Sequence, residues 1–226
     1  MNTFRVLSAL LTYPTEELAV SVPRMRQMLD QEGLLSGDDR SGLTQLFTDL
    51  SSMDIYDLQA RYVELFDQYR ALSLHLFEHV HGESRDRGQA MVSLLERYRD
   101  AGLDLSAKEL PDFLPVFLEY LSQLPLDDAR AELADAVAVI TALARRLAKR
   151  NSPYAAVLAC LEHLAQAEPS AADLEELAGE EAQDEDNRKA LDAEWQEEPV
   201  DFSRRETTFV SRQRARSLGA ALRKEQ

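Results

Sequence analysis

Three of the four histidines of this 226-residue chain fall within seven residues: His75, His79 and His81, in the run Ser73-Leu74-His75-Leu76-Phe77-Glu78-His79-Val80-His81. On a helix, positions i and i+4 lie one above the other. His75 and His79 would then present two imidazoles on one face, with the Glu78 carboxylate nearby, a common zinc geometry. In the metalloprotease motif His-Glu-x-x-His the glutamate follows the first histidine and serves as general base; here Glu78 directly precedes the second. A catalytic metal would also need a distant third ligand, and His163 is the one remaining histidine. The alternative is a set of histidines that hydrogen-bond at a helix end and a turn. That reading is preferred, so neither a metal nor a catalytic residue is expected.

Two further segments concentrate polar chemistry. Glu83-Ser84-Arg85-Asp86-Arg87-Gly88-Gln89-Ala90-Met91 sets charges of both signs beside the histidines. It reads either as a solvated helix start, capped by Ser84 with Asp86 at the positive end of the dipole, or as a polar network fixing a bend between two helices. Glu109-Leu110-Pro111-Asp112-Phe113-Leu114-Pro115-Val116-Phe117-Leu118-Glu119-Tyr120 has two prolines at a helix start, where a missing N–H costs little. Asp112 and Glu119, seven apart, would share a face with Phe113, Val116 and Tyr120. Such a face is either an apolar groove with acidic spots, suited to a basic amphipathic helix, or ordinary capping beside a solvated glutamate. Cys160 lies in the apolar run Val157–Leu161 and reads as a small buried hydrophobe rather than a nucleophile. No glycine-rich phosphate loop, nucleophile elbow, serine triad or Cys-x-x-Cys is present.

The elements that must position these residues are helical. Leucine (36) and alanine (29) far outnumber valine, isoleucine and threonine (12, 2 and 8), and only 8 glycines and 8 prolines are available for turns. Straight-chain side chains suit helices and β-branched ones suit sheets, so all-β and doubly wound α/β folds are excluded. Apolar residues recur at helical spacing: Leu58, Tyr62, Leu65, Phe66 and Tyr69 after a capping Asp54; Met91, Leu94, Leu95 and Tyr98, stopping near Gly102; Leu114, Phe117, Leu118 and Leu121. Leu133, Val137, Ile140, Ala144 and Leu147 read as one longer stripe. Asp127 and Asp128 stand at its start and Arg145, Arg146, Lys149 and Arg150 at its end, as the dipole favours. Pro153 opens a last stripe to Leu164. Phe4–Leu11, Leu18–Leu29 broken at Pro23, and Leu43–Leu50 precede them all. The expected fold is all-α: a single-domain bundle of about eight or nine helices over residues 1–166, followed by a charged, largely disordered tail over 167–226. A helical fragment is expected at Ala172–Ala182, with Trp195 and Phe202 as docking points.

Net charge is −16. Such a chain repels phosphate backbones, so nucleic acid is not an expected partner. Within the tail, Asp173–Asp201 carries a net −11 and Phe202–Gln226 a net +5, blocks expected to associate with each other. One cysteine fits a reducing compartment. Neither a signal peptide nor an apolar run of about 18 residues is present, so no membrane insertion is expected and the location is read as cytoplasmic.

Tyr62-Val63-Glu64-Leu65-Phe66-Asp67, the run from Leu72 to Met91, the opening Leu10-Leu11-Thr12-Tyr13-Pro14 and Leu110-Pro111-Asp112-Phe113-Leu114-Pro115 strongly resemble the nitrate reductase molybdenum cofactor assembly chaperones, also called delta subunits. The likeness covers roughly residues 1–165. Glu109, Pro111 and Asp112 match the Glu-x-Pro-Asp-His-type motif of the wider molybdoenzyme chaperone superfamily. Phe113 stands where its histidine would be, a departure that resembles the nitrate reductase branch.

The resemblance implies an all-helical, cytoplasmic, non-enzymatic helper with no cofactor of its own. Its implied partner is the apo catalytic (alpha) subunit of respiratory nitrate reductase, including the leader-like N-terminal peptide, held for molybdenum cofactor and iron–sulfur insertion before membrane attachment. Cofactor-insertion proteins are further implied partners, and the protein itself would be a monomer or weak dimer. A basic amphipathic peptide is attracted by a −16 protein, with apolar anchors supplying most of the affinity. The expected wall is Phe66, Leu76, Phe113, Val116 and Tyr120, with Glu78, Asp112 and Glu119 meeting the peptide's cations. His79, His81, Asp86 and Arg87 complete the expected client-binding set. Charge reversal at Asp112 should weaken peptide binding and leave the fold intact. The competing readings are an acidic helical scaffold that recruits partners through its tail, and a histidine-based metal-binding protein.

Overall fold

The chain's leucine and alanine content goes into helices throughout the computed structural model, which describes residues 1–80, 85–105 and 109–179. Among the described residues up to Gln166 there are eleven α-helices: α1 (Asn2–Leu10), α2 (Glu16–Glu32), α3 (Gly37–Gly42), α4 (Thr44–Ser52), α5 (Ile55–Phe66), α6 (Leu76–Val80), α7 (Arg85–Asp100), α8 (Leu114–Leu121), α9 (Leu126–Asp135), α10 (Val137–Lys149) and α11 (Ala155–Ala165). A 3₁₀ turn, Arg70–Leu72, links α5 to α6, and residues 171–179 are also helical. His81, the expected cap Ser84, and the tail beyond residue 179 lie outside the described residues.

The all-α class agrees with the sequence expectation, but the helices number eleven rather than eight or nine. Short helices with little apolar periodicity account for part of the difference. α3 rests on a reciprocal capping box: Ser36 Oγ accepts from the Asp39 N–H, and the Asp39 carboxylate accepts from the Ser36 N–H. The single long stripe expected from Leu133 to Leu147 is two helices, which break at Ala136. The interruption expected at Pro23 does not occur. Pro23 lies within α2 on its exposed side, and the buried Val22, Met25 and Leu29 hold the helix through it. Asp54 caps α5 as expected, its carboxylate accepting from the Tyr56 N–H at 2.8 Å.

The core forms where α1 packs against α2 and α8, and where α10 runs along α11, which also meets α9. Leu7, Leu43, Leu118, Ile140, Leu143 and Leu161 are fully buried there. Ser8 Oγ donates to the Pro115 carbonyl at 2.7 Å and fixes α1 to the start of α8.

Two non-helical strips are braced side by side between these helices. The Leu76 N–H donates to the Asp112 carbonyl at 3.0 Å, and the Leu114 N–H donates to the Leu74 carbonyl at 2.8 Å. This makes an isolated antiparallel bridge at His75 and Phe113. Tyr98 reaches from α7 and donates its hydroxyl to the Pro111 carbonyl at 2.7 Å, so α7 is tied to the same strips.

Candidate functional site

Asp112 is the hub of these strips. It precedes the N-cap of α8, is fully buried, and turns its carboxylate back across the bridge. Oδ1 lies 3.2 Å from His75 Nδ1, and Oδ2 accepts from the Phe77 N–H at 3.2 Å. Arg87, on α7, places Nη2 3.3 Å from Glu78 Oε1 and 3.7 Å from Asp112 Oδ2. One carboxylate thus ties together the 73–77 strip, α7 and the entry to α8. The polar network fixing a bend, one of the two readings of the Arg87 segment, is the arrangement seen for Arg87. Asp86 is exposed.

The expectation of one acidic face is corrected by this arrangement. Asp112 and Glu119 do not share an acidic face: Asp112 lies outside the helix and is enclosed, whereas Glu119 is on the solvent side of α8. Asp112 therefore does not face an incoming cation. Charge reversal there would strike the fold rather than spare it, because a buried ammonium would replace a fully engaged carboxylate. His75 and His79 follow the preferred reading of hydrogen-bonded histidines rather than sharing a helix face, since α6 begins only at Leu76. His75 turns to Asp112, while the buried His79 places Nε2 2.8 Å from the Ser73 carbonyl. His163 is engaged elsewhere, by Asp39. Among the described residues no group of three or more His, Cys, Asp or Glu side chains could hold a metal ion.

The pKa values of the two histidines are shifted in opposite directions. The hydrogen bond to Asp112 raises the His75 pKa above its ordinary 6.5, outweighing partial burial. Burial lowers the His79 pKa below 6.5, despite its bond to the Ser73 carbonyl. Stability contributed by protonated His75 is complete below pH 6.5 and is lost as pH rises through its folded-state pKa. Stability associated with neutral His79 is complete above pH 6.5 and is lost as pH falls through its own lower value. Imidazole NMR titration is expected to give a midpoint above 6.5 for His75 and below 6.5 for His79, with Asp112→Asn bringing His75 down. Coincident midpoints would contradict this assignment.

The expected peptide wall is dispersed. Phe66, Glu78 and Arg87 line a polar hollow of about 540 Å³ with Tyr69, Ser73 and His75. Phe113 packs against the His75 ring at 5.2 Å between centroids. Tyr120 is buried against Tyr98 at 4.8 Å, and Val116 is half-buried. Only Leu76 of the five opens onto a different cavity, an apolar groove of about 260 Å³. Its floor and walls are Leu76 and Phe77 of α6, Leu94 of α7, Phe117 of α8, and Ala136 and Val139 at the junction of α9 and α10. Among the described lining residues the charged ones are Arg97, Glu132 and Asp135. Val80, which is 60% exposed, extends the apolar surface.

The wall from α9 and α10 was not legible in the sequence, because nothing local says which stripe meets α7. Arg146 also escaped. It stands in the last turn of α10, at the end its charge favours, but it is buried. It donates Nη1 to the Ala71 carbonyl at 2.7 Å and Nη2 to the Leu177 carbonyl. The available signal was its spacing, seven residues after the buried Val139.

Comparison with known proteins finds relatives over most of the chain. The family model for the nitrate reductase delta subunit matches residues 24–160. The nitrate reductase molybdenum cofactor assembly chaperone NarJ of Escherichia coli K12 is 45% identical over 197 residues, 87% of this chain and 83% of that protein. The probable nitrate reductase molybdenum cofactor assembly chaperone NarW of the same strain is 41% identical over 202 residues, 89% and 84% of the two chains. A probable NarJ chaperone of Bacillus subtilis strain 168 is 31% identical over 166 residues, 72% and 89%.

Proposed function

Since the chain belongs to the nitrate reductase delta subunit family, we propose that it is an assembly chaperone, not an enzyme, which holds the apo catalytic subunit of a respiratory nitrate reductase in the cytoplasm. It grips the subunit's leader-like N-terminal segment while molybdenum cofactor and iron–sulfur clusters are inserted, and releases it before membrane attachment. The cofactor is cargo of the client, and no site for it is assigned on this chain.

The observation that carries this reading is the groove between α6, α7, α8 and the α9–α10 junction. Its lining is apolar over most of its length, and acidic Glu132 and Asp135 stand at its rim. An amphipathic helix would lay its apolar face into such a groove, with basic residues toward the acidic rim. The net charge of −16 speeds encounter with a basic segment, while buried apolar anchors set residence time. No helix among the described residues is long and apolar enough to cross a membrane.

The test is calorimetric titration with a synthetic peptide of the catalytic subunit's N-terminus. Saturable binding that weakens with salt is expected. Ser93 is exposed on α7 and lines the groove, so Ser93→Arg should preserve helical circular dichroism. It inserts bulk and positive charge into the path of the peptide, and about a tenfold weaker affinity is expected, equivalent to roughly 1.4 kcal/mol. Absence of saturable binding to the unmodified protein would overturn the peptide-groove reading.

A further inference from the structure

At the groove rim one ion pair crosses from α7 to α9: Arg97 Nη1 lies 2.6 Å from Glu132 Oε2. The two partners are unequal. The Glu132 side chain is 24% exposed and the Arg97 side chain 52% exposed. Asp135, one turn further along α9, is exposed, and no described cation lies within ion-pairing distance of it. Glu132 is thus the sheltered half of the pair and Arg97 the half already in water, and both line the groove.

We infer that Arg97 is a placeholder for the client's own cation: on docking, an arginine or lysine of the bound basic segment takes over Glu132, and Arg97 swings out to solvent. This rests on the proposed groove reading and assigns its charge readers, Glu132 with Asp135 beside it. The exchange conserves the number of ion pairs. Arg97 rehydrates at little cost because half its side chain is already wet, and an exposed pair of this kind contributes little net stability. The incoming pair is covered by the peptide's apolar body, where the same charges attract more strongly. The placeholder also disfavours wrong partners. An uncharged apolar segment entering the groove has nothing to offer Glu132, whereas a basic one replaces what it displaces.

The alternative is that the pair merely fastens α7 to α9. The two roles predict opposite outcomes for Arg97→Ala. As a placeholder, its removal leaves the rim more negative and free of a competitor. The basic N-terminal peptide should then bind about fivefold more tightly at low salt, the upper range for an exposed ion pair, with a steeper dependence on salt. A peptide whose arginines and lysines are replaced by glutamine should show no such gain. Glu132→Gln should weaken the basic peptide by about fivefold, and adding Arg97→Ala to it should restore nothing, because the two residues act on one charge. As a mere fastener, Arg97→Ala would lower the melting temperature and leave affinity for the basic peptide unchanged or weaker, which would overturn the inference. If Ser93→Arg still disrupts binding in that case, the groove stands and only the exchange falls. If the unmodified protein binds neither peptide, both fall.

Discussion

Asp112→Ala is expected to lower the unfolding free energy by about 3–4 kcal/mol, the range for removing one member of a buried charged network. The residue is fully enclosed and its two oxygens serve three partners: the His75 ring, the Phe77 N–H and, more distantly, the Arg87 guanidinium. Alanine removes the carboxylate that accepts from the Phe77 N–H and leaves Arg87 with Glu78 alone among these contacts. Asp112→Asn keeps an amide oxygen that can accept from Phe77 while losing the charge, so it should cost about half as much. Urea unfolding followed by circular dichroism measures both. Equal, sub-kilocalorie losses would show that the carboxylate does not organise the strips. Because these strips carry α6 into the groove wall, Asp112→Ala should also weaken the client peptide, through the position of Leu76 and Phe77 rather than through direct contact.

Arg146→Ala is expected to be comparably severe, at about 3–5 kcal/mol. Its guanidinium is a bracket between two pieces of chain distant in sequence, the Arg70–Leu72 turn and the helical stretch 171–179. Alanine removes the donors to two buried carbonyls and opens a void in the α10 face. Arg146→Met refills much of that volume without restoring a donor, so it should recover part of the loss and no more. Leu177, 5% exposed, is held over the core by the same contact, and the 171–179 stretch should become the first site of proteolytic cleavage in the alanine variant. His79 supplies an independent readout. Arg146 is among the charges that depress its pKa, so the His79 midpoint should rise toward 6.5 when Arg146 is replaced. An unchanged melting temperature together with an unchanged His79 midpoint would refute the bracket.

The sequence by itself determined the fold class and the family resemblance. Leucine and alanine in excess over β-branched residues, few turn residues, and stripes at helical spacing leave no other architecture, because backbone propensity and amphipathic period are local quantities. Local capping was equally legible at Asp54, and the Glu109–Pro115 and Leu72–Met91 runs carried the resemblance to delta-subunit chaperones. The break at Ala136, the continuity of α2 through Pro23 and the fate of Asp112, Glu119 and Arg146 were decided only by tertiary structure. Spacing says which residues share a face of one helix; it does not say which face another helix covers. Asp112 and Glu119 were separated by a backbone strip that pairs at His75 and Phe113 and by the side-chain contact of His75 with Asp112, 37 residues apart. Arg146 was drawn inward by carbonyls 75 residues before it and 31 after it. The apolar groove likewise exists only because α9 and α10 come to lie opposite α6 and α7. Burial and long-range pairing are properties of the whole packed chain, and no window of sequence contains them.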